Sequence, residues 1–178
     1  MLKNSTTSYG IIAKTFHWVI GVGIITLIAV GLYMTNMQGS PLKFELYDIH
    51  KATGVVIFVL AAARFLWRLV NPLPEMPPGT PSIVKVAGRT VHYTMYIMMF
   101  GSPISGLTMS LFSGHAVSIY GLYTIQPLYA THPYAHLALD VHNFLGFFWI
   151  AILTLHLGAV FMHHFVLKDN LLRRMLPW

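Results

Sequence analysis

Four apolar stretches constrain this chain more than any other feature: about Phe16–Thr35, Ile49–Val70, Val91–Ser110 and Asp140–Leu167. Each is long enough for one helix to cross a hydrocarbon core, which takes roughly 20 helical residues. No water reaches that core to satisfy backbone N–H and C=O groups, so the crossing segments must satisfy them internally. Only 9% of the residues are charged, against about 25% in an ordinary soluble domain. Lipid is therefore the main solvent. The expected fold is all-α, an integral-membrane four-helix bundle forming one domain over residues 1–178.

The connections differ in character. The first, about Asn36–Asp48, is short, and the second, Asn71–Pro81, is rich in proline and stops the second helix. The third, about Leu111–Leu139, is long, aromatic and dotted with glycine. It is expected to lie partly in the membrane interface or to carry a short helix. The first span follows a polar start and has no small-x-small cleavage site, so it reads as a retained helix rather than a signal peptide.

The formal charge of +6 would suit nucleic acid or an anionic membrane surface. Its distribution favours the membrane and no nucleic acid partner. Lys3, Lys14, Arg64, Arg68, Lys85, Arg89, Lys168, Arg173 and Arg174 lie at the termini and around the second connection. Only Lys43 and Lys51 lie on the opposite side. The positive-inside rule then places both termini in the cytoplasm of a multi-pass protein of the bacterial inner membrane. With no cysteine, disulfides, iron–sulfur clusters and covalent c-type haem attachment are excluded.

Ten histidines in so apolar a chain are the strongest chemical signal, because an ionisable residue inside a span is costly and needs a partner or a task. His17 falls near the cytoplasmic end of the first span, and His50 and His142 near the periplasmic ends of the second and fourth. His156 follows His142 by 14 residues, a climb of roughly 21 Å along a helix. Two levels result, His50 with His142 and His17 with His156. The interval is two heptads, which keeps both fourth-span histidines on the inward seam of a left-handed bundle. Two facing imidazoles at one depth are what a six-coordinate haem iron requires.

Three of these histidines have glycine one turn later: His17 with Gly21, His50 with Gly54 and His142 with Gly146. A missing side chain there leaves room for a flat macrocycle. Arg64, 14 residues after His50, reads either as a propionate contact or as a snorkelling anchor. His92 joins neither pair, and His163 and His164 sit near the end of the fourth span. His92 and His163 are candidates for a quinone site or for supporting the ligands. His115, His132 and His136 lie in the third connection and are expected to be solvated.

Longer motifs carry a resemblance. They are K-x-x-HW at Lys14–Trp18, HKATG at His50–Gly54, ARFLWRLVNPLP at Ala63–Pro74 and VHYTMY at Val91–Tyr96. They continue with GSPISG at Gly101–Gly106, VHNFLG at Val141–Gly146 and LHLGAVFMHHFVLKDNLLRRMLP at Leu155–Pro177. Over essentially its whole length the chain resembles the bacterial cytochrome b561 family of four-helix dihaem membrane proteins. The resemblance implies axial ligation of two haem b irons by His17, His50, His142 and His156. It also implies electron exchange with membrane quinone, ubiquinone in the first instance, and for some members oxidation of superoxide at the periplasmic face. Lys43 and Lys51, offset by Glu45 and Asp48, make a weak cationic lure for superoxide.

The expected activity is thus that of an oxidoreductase or electron carrier between quinone and a periplasmic partner, as a monomer or a homodimer. One rival reading is an anchor subunit relaying electrons for a separate dehydrogenase or hydrogenase. A second, a haem-free metal-ion carrier, lacks the intramembrane carboxylates such a protein needs.

Overall fold

A computed structural model describes residues 1–77 and 79–176. Pro78 of the proline-rich connection, and Pro177, which ends the last quoted motif, lie outside the described residues. Four long helices run α1 (Ile11–Thr35), α2 (Pro41–Leu69), α3 (Ser82–Phe112) and α4 (Tyr134–Phe161). Helix α4 continues into a π-helical turn at Met162–Val166, and a short α5 (Leu171–Met175) follows. All four long helices have the length and apolarity to cross a membrane.

The helices begin earlier than the apolar stretches alone suggest. Ser40 caps α2 by accepting from the Lys43 N–H at 3.3 Å, and Pro41 occupies its first turn, where a missing N–H costs nothing. Helix α3 starts after Pro81, and its first turns carry Lys85 and Arg89. These added turns are richer in polar residues than the apolar stretches that follow them. Outward along the spans, Val22, Val59, Ile97, Phe144 and Leu155 are largely exposed, as residues facing lipid tails should be.

A compact core of Ile20, Ile24, Ile57, Ala61, Met98, Met99, Trp149 and Ile152 fills the bundle centre. It draws on all four helices. Trp149 lies seven residues from both His142 and His156, so the inward seam of α4 reads histidine, buried tryptophan, histidine.

The third connection carries a β-hairpin rather than a helix. Strands β1 (Val117–Ile119) and β2 (Tyr123–Ile125) pair antiparallel, with Val117 opposite Ile125. Tyr120 (φ 50°) and Gly121 (φ 74°) are both left-handed, the turn geometry that matches strand twist. The hairpin is anchored to α2. Val117 is fully buried, the hydroxyls of Thr53 and Tyr120 are 2.6 Å apart, and Lys51 Nζ donates to the Ala116 carbonyl at 3.4 Å.

At the opposite end the termini are tied together. Lys14 Nζ donates to the Leu176 carbonyl at 2.7 Å and Trp18 Nε1 to the Met175 carbonyl at 2.9 Å. Arg174 donates to the Glu75 carbonyl at 2.6 Å, and the Glu75 N–H to the Thr6 carbonyl at 2.8 Å. The K-x-x-HW motif therefore serves two ends: its histidine faces the bundle while its lysine and tryptophan hold the C-terminal segment.

Candidate functional site

The four principal histidines come together in the expected pairs. His50 on α2 and His142 on α4 have ring centres 6.2 Å apart, with planes at 84°. His17 on α1 and His156 on α4 are also 6.2 Å apart, with planes at 55°. The first pair lies beside the β-hairpin, at the outer level. The second, toward the termini, is the inner level.

Each helix contributes one residue to each level, always two heptads apart. The couples are His17 and Gly31 on α1, His50 and Arg64 on α2, His92 and Gly106 on α3, and His142 and His156 on α4. Their contacts repeat between the two helical hairpins. At the outer level Gly31 lies against His50, where an added Cβ would be 3.5 Å from Cε1, and Gly106 lies against His142, at 3.0 Å. At the inner level Arg64 Nη2 is 3.4 Å from His17 Nδ1, and the His92 and His156 ring centres are 5.6 Å apart. Hairpin α3–α4 thus repeats the pattern of α1–α2. Sequence reasoning missed Gly31 and Gly106, although the 14-residue interval from His17 and His92 points to both.

The histidines differ in what their second nitrogen meets. His142 Nδ1 lies 2.9 Å from the Ser102 carbonyl and 3.1 Å from Ser105 Oγ. Nδ1 must carry the proton to donate to that carbonyl, which leaves Nε2 free to ligate. The supporting scaffold is the GSPISG segment. Pro103 removes one rung from the α3 backbone ladder, Ser105 Oγ donates to the Ser102 carbonyl at 2.8 Å, and Trp149 Nε1 donates to Ser102 Oγ at 3.0 Å. His50 Nδ1, by contrast, is buried without a hydrogen-bond partner among the described residues.

The inner level is cationic. Arg64 and Arg68 both lie over the Tyr96 ring, at 5.7 and 4.9 Å, and Arg68 also approaches Tyr93. Among the described residues the only acidic ion pairs are Lys51–Asp48 and His163–Asp169, so neither arginine has a carboxylate partner. If His17 Nε2 is to bind a metal, Nδ1 carries a proton and cannot accept from Arg64. The guanidinium is then left free for an anion. Nearby, burial holds the Tyr9 phenol above its usual range, against the opposing pull of Arg68, Arg64 and Arg174.

The remaining candidates separate. Gly54 lines the outer cavity with His50, Lys51, Gly106 and His142. Among the described residues, added Cβ atoms at Gly21, Gly54 and Gly146 would meet only open space, so neither Gly21 nor Gly146 packs against a histidine ring as Gly31 and Gly106 do. His163 is buried in the π-helical turn, its Nδ1 2.5 Å from Asp169 Oδ2, whereas His164 packs on Phe165. Burial pushes the Asp169 carboxyl up, but the Leu171 N–H, the His163 ring and Arg174 outweigh it and hold the group below its usual range. At the outer rim Lys51 is paired with Asp48 at 2.7 Å, which further weakens the cationic lure, and Lys43 donates to the Met37 carbonyl. His132 packs among Phe112, Tyr129 and Tyr134 rather than standing free in solvent.

The geometry fits haem better than a bare ion. An iron taking one nitrogen from each ring at about 2 Å, with each ring centre about 1 Å behind its nitrogen, needs centres about 6 Å apart. Both pairs meet that requirement. Among the described residues no three His, Asp or Glu side chains gather to hold a metal ion. The two facing imidazoles of each pair would suit a macrocycle that supplies the other four donors.

Known proteins point the same way. The chain is 27% identical to "Cytochrome b561 homolog 2" of Escherichia coli (strain K12) over 175 residues, 97% of this chain and 93% of that protein. It is 28% identical to "Probable superoxide oxidase CybB" of Yersinia pestis over 173 residues, 95% of this chain and 96% of that protein. It is 27% identical to "Cytochrome b561 homolog 1" of Escherichia coli (strain K12) over 166 residues, 90% and 92% of the two chains. The family model for prokaryotic cytochrome b561 matches residues 8–178, and with four apolar spanning helices the chain belongs to that family of haem b membrane proteins.

Proposed function

We propose that this cytochrome holds two haem b groups, one between His17 and His156 and one between His50 and His142. It passes single electrons between membrane quinone and a partner at the opposite face. The observation that carries this reading is the equal 6.2 Å separation of the two imidazole pairs at levels roughly 21 Å apart along α4. Haem would supply reversible one-electron chemistry, and His17, His156, His50 and His142 would be the residues that hold it. With these histidines holding the group, substrates would exchange electrons with it without ligating the iron.

The chain's own residues do the rest. The Ser102 carbonyl orients His142, Arg64 offers a cation to a propionate, and Gly21, Gly54 and Gly146 leave room for the macrocycles. His92 at the inner level and His163 in the π-helical turn are the candidates for contacting quinone, with ubiquinone the expected one. The Lys and Arg distribution favours both termini in the cytoplasm of a bacterial inner-membrane protein. The outer level then faces the periplasm, where superoxide is the favoured donor in view of the Yersinia pestis relative's name.

Mixing the oxidised, haem-loaded protein with superoxide in detergent tests this assignment. Rapid growth of the reduced b-type band, followed by reoxidation on adding ubiquinone, is the expected result. A protein that ignores superoxide but is reduced by ubiquinol would keep the quinone half and remove the superoxide half.

A further inference from the structure

The two levels surround their histidines with opposite electrostatics. At the outer level His142 Nδ1–H points at the Ser102 carbonyl, 2.9 Å away, and the nearest lysine, Lys51, is neutralised by Asp48 at 2.7 Å. Among the described residues, the rest of the outer cavity is lined by His50, Gly54, Gly106 and apolar side chains, with no Arg, Asp or Glu. At the inner level Arg64 lies 3.4 Å from His17 Nδ1. Arg68 lies one turn further on α2, sharing the Tyr96 face, with no carboxylate on either arginine among the described residues.

We infer that Ser102 and Arg64 tune the two haem sites in opposite senses, so that an electron runs downhill from the outer level to the inner. An acceptor on the distal N–H makes an imidazole a more basic ligand and stabilises the ferric state, lowering the outer potential. A guanidinium beside the ligand stabilises the added electron and raises the inner potential. The transfer moves one electron, oxidising the outer iron and reducing the inner by the same amount, with no bond made or broken. Gly106 is a positioning residue for this device, because an added Cβ would lie 3.2 Å from His142 Nδ1 and press the ring off its carbonyl. Ser105 is a second, reaching the same nitrogen. The inference rests on the reading that each level holds one haem.

Spectroelectrochemical titration of the purified haem-loaded protein tests it. The unmodified chain is expected to reduce in two resolved one-electron steps. Arg64→Gln should lower the upper step and leave the lower in place, and Arg64→Lys should restore most of the shift. Gly106→Ala should raise the lower step alone. Ser105→Ala, which introduces no bulk, should move the lower step in the same direction by less. Two haems titrating as a single step, or an Arg64→Gln shift in the lower step or in neither, would overturn the inference while leaving the dihaem reading intact. A chain carrying one haem or none would overturn both.

Discussion

Gly106 lies so close to His142 that a methyl group in its place would sit 3.0 Å from Cε1 and 3.2 Å from Nδ1. Few real Cβ contacts are that short, and the ring's Nδ1 is already fixed by the Ser102 carbonyl, one turn before Gly106 on α3. A large side chain cannot be absorbed there. Gly106→Leu is expected to displace His142 and halve the extractable haem, as read by a pyridine haemochrome assay, while the helical content of the detergent-purified protein stays unchanged.

Lys14 should matter for stability and not for haem. Its ammonium donates to the Leu176 carbonyl at 2.7 Å, a charge-assisted bond worth about 1–3 kcal/mol. Lys14→Met is expected to lower the unfolding temperature in detergent and to loosen the C-terminal segment to proteolysis, with haem content retained.

Acid should release the same end of the molecule. The Asp169 carboxyl is held below its usual range, so the folded state binds its proton less readily than the unfolded state does. Its stabilising contribution is therefore present above the unfolded carboxylate value, about 3.9. It is lost as pH falls through the lower folded value. Asp169→Asn should remove the contribution at neutral pH and flatten the acid limb of a plot of thermal stability against pH.

The β-hairpin's hold on α2 depends on the 2.6 Å contact between Tyr120 and Thr53 hydroxyls. One such bond is worth about 1 kcal/mol, which corresponds to roughly five-fold in local opening. Tyr120→Phe should speed amide exchange across β1 and β2 by about that factor, measured by mass spectrometry, without changing haem content.

Much of this architecture is legible in the chain because a membrane span is a long, one-dimensional signal and a heptad seam is periodic. His142 and His156 disclose their levels by spacing alone, and His50 and His17 follow from depth. The same interval from His17 and His92 leads to Gly31 and Gly106, but a glycine has no chemistry of its own to draw attention. Its meaning appears only when the facing ring is seen. The β-hairpin escaped because Tyr120, a bulky residue, occupies a left-handed turn position that glycine or asparagine would ordinarily advertise. The early start of α2 was marked by Ser40 and Pro41, a cap signal that apolar patterning overlooks. Lys14 and Trp18 donate to carbonyls more than 150 residues away in sequence, a pairing no local pattern encodes.

The most direct measurement is haem stoichiometry in the purified chain and in single histidine variants, by haemochrome assay with reduced-minus-oxidised spectra. Two low-spin b-type haems per chain are expected. His50→Ala and His142→Ala should each remove one haem, and His17→Ala and His156→Ala the other, so that the two sets of variants retain spectrally distinct centres. A His50→Ala protein that keeps both haems, or an unmodified folded chain that binds none when haem is supplied, would contradict the assignment of these four residues as ligands.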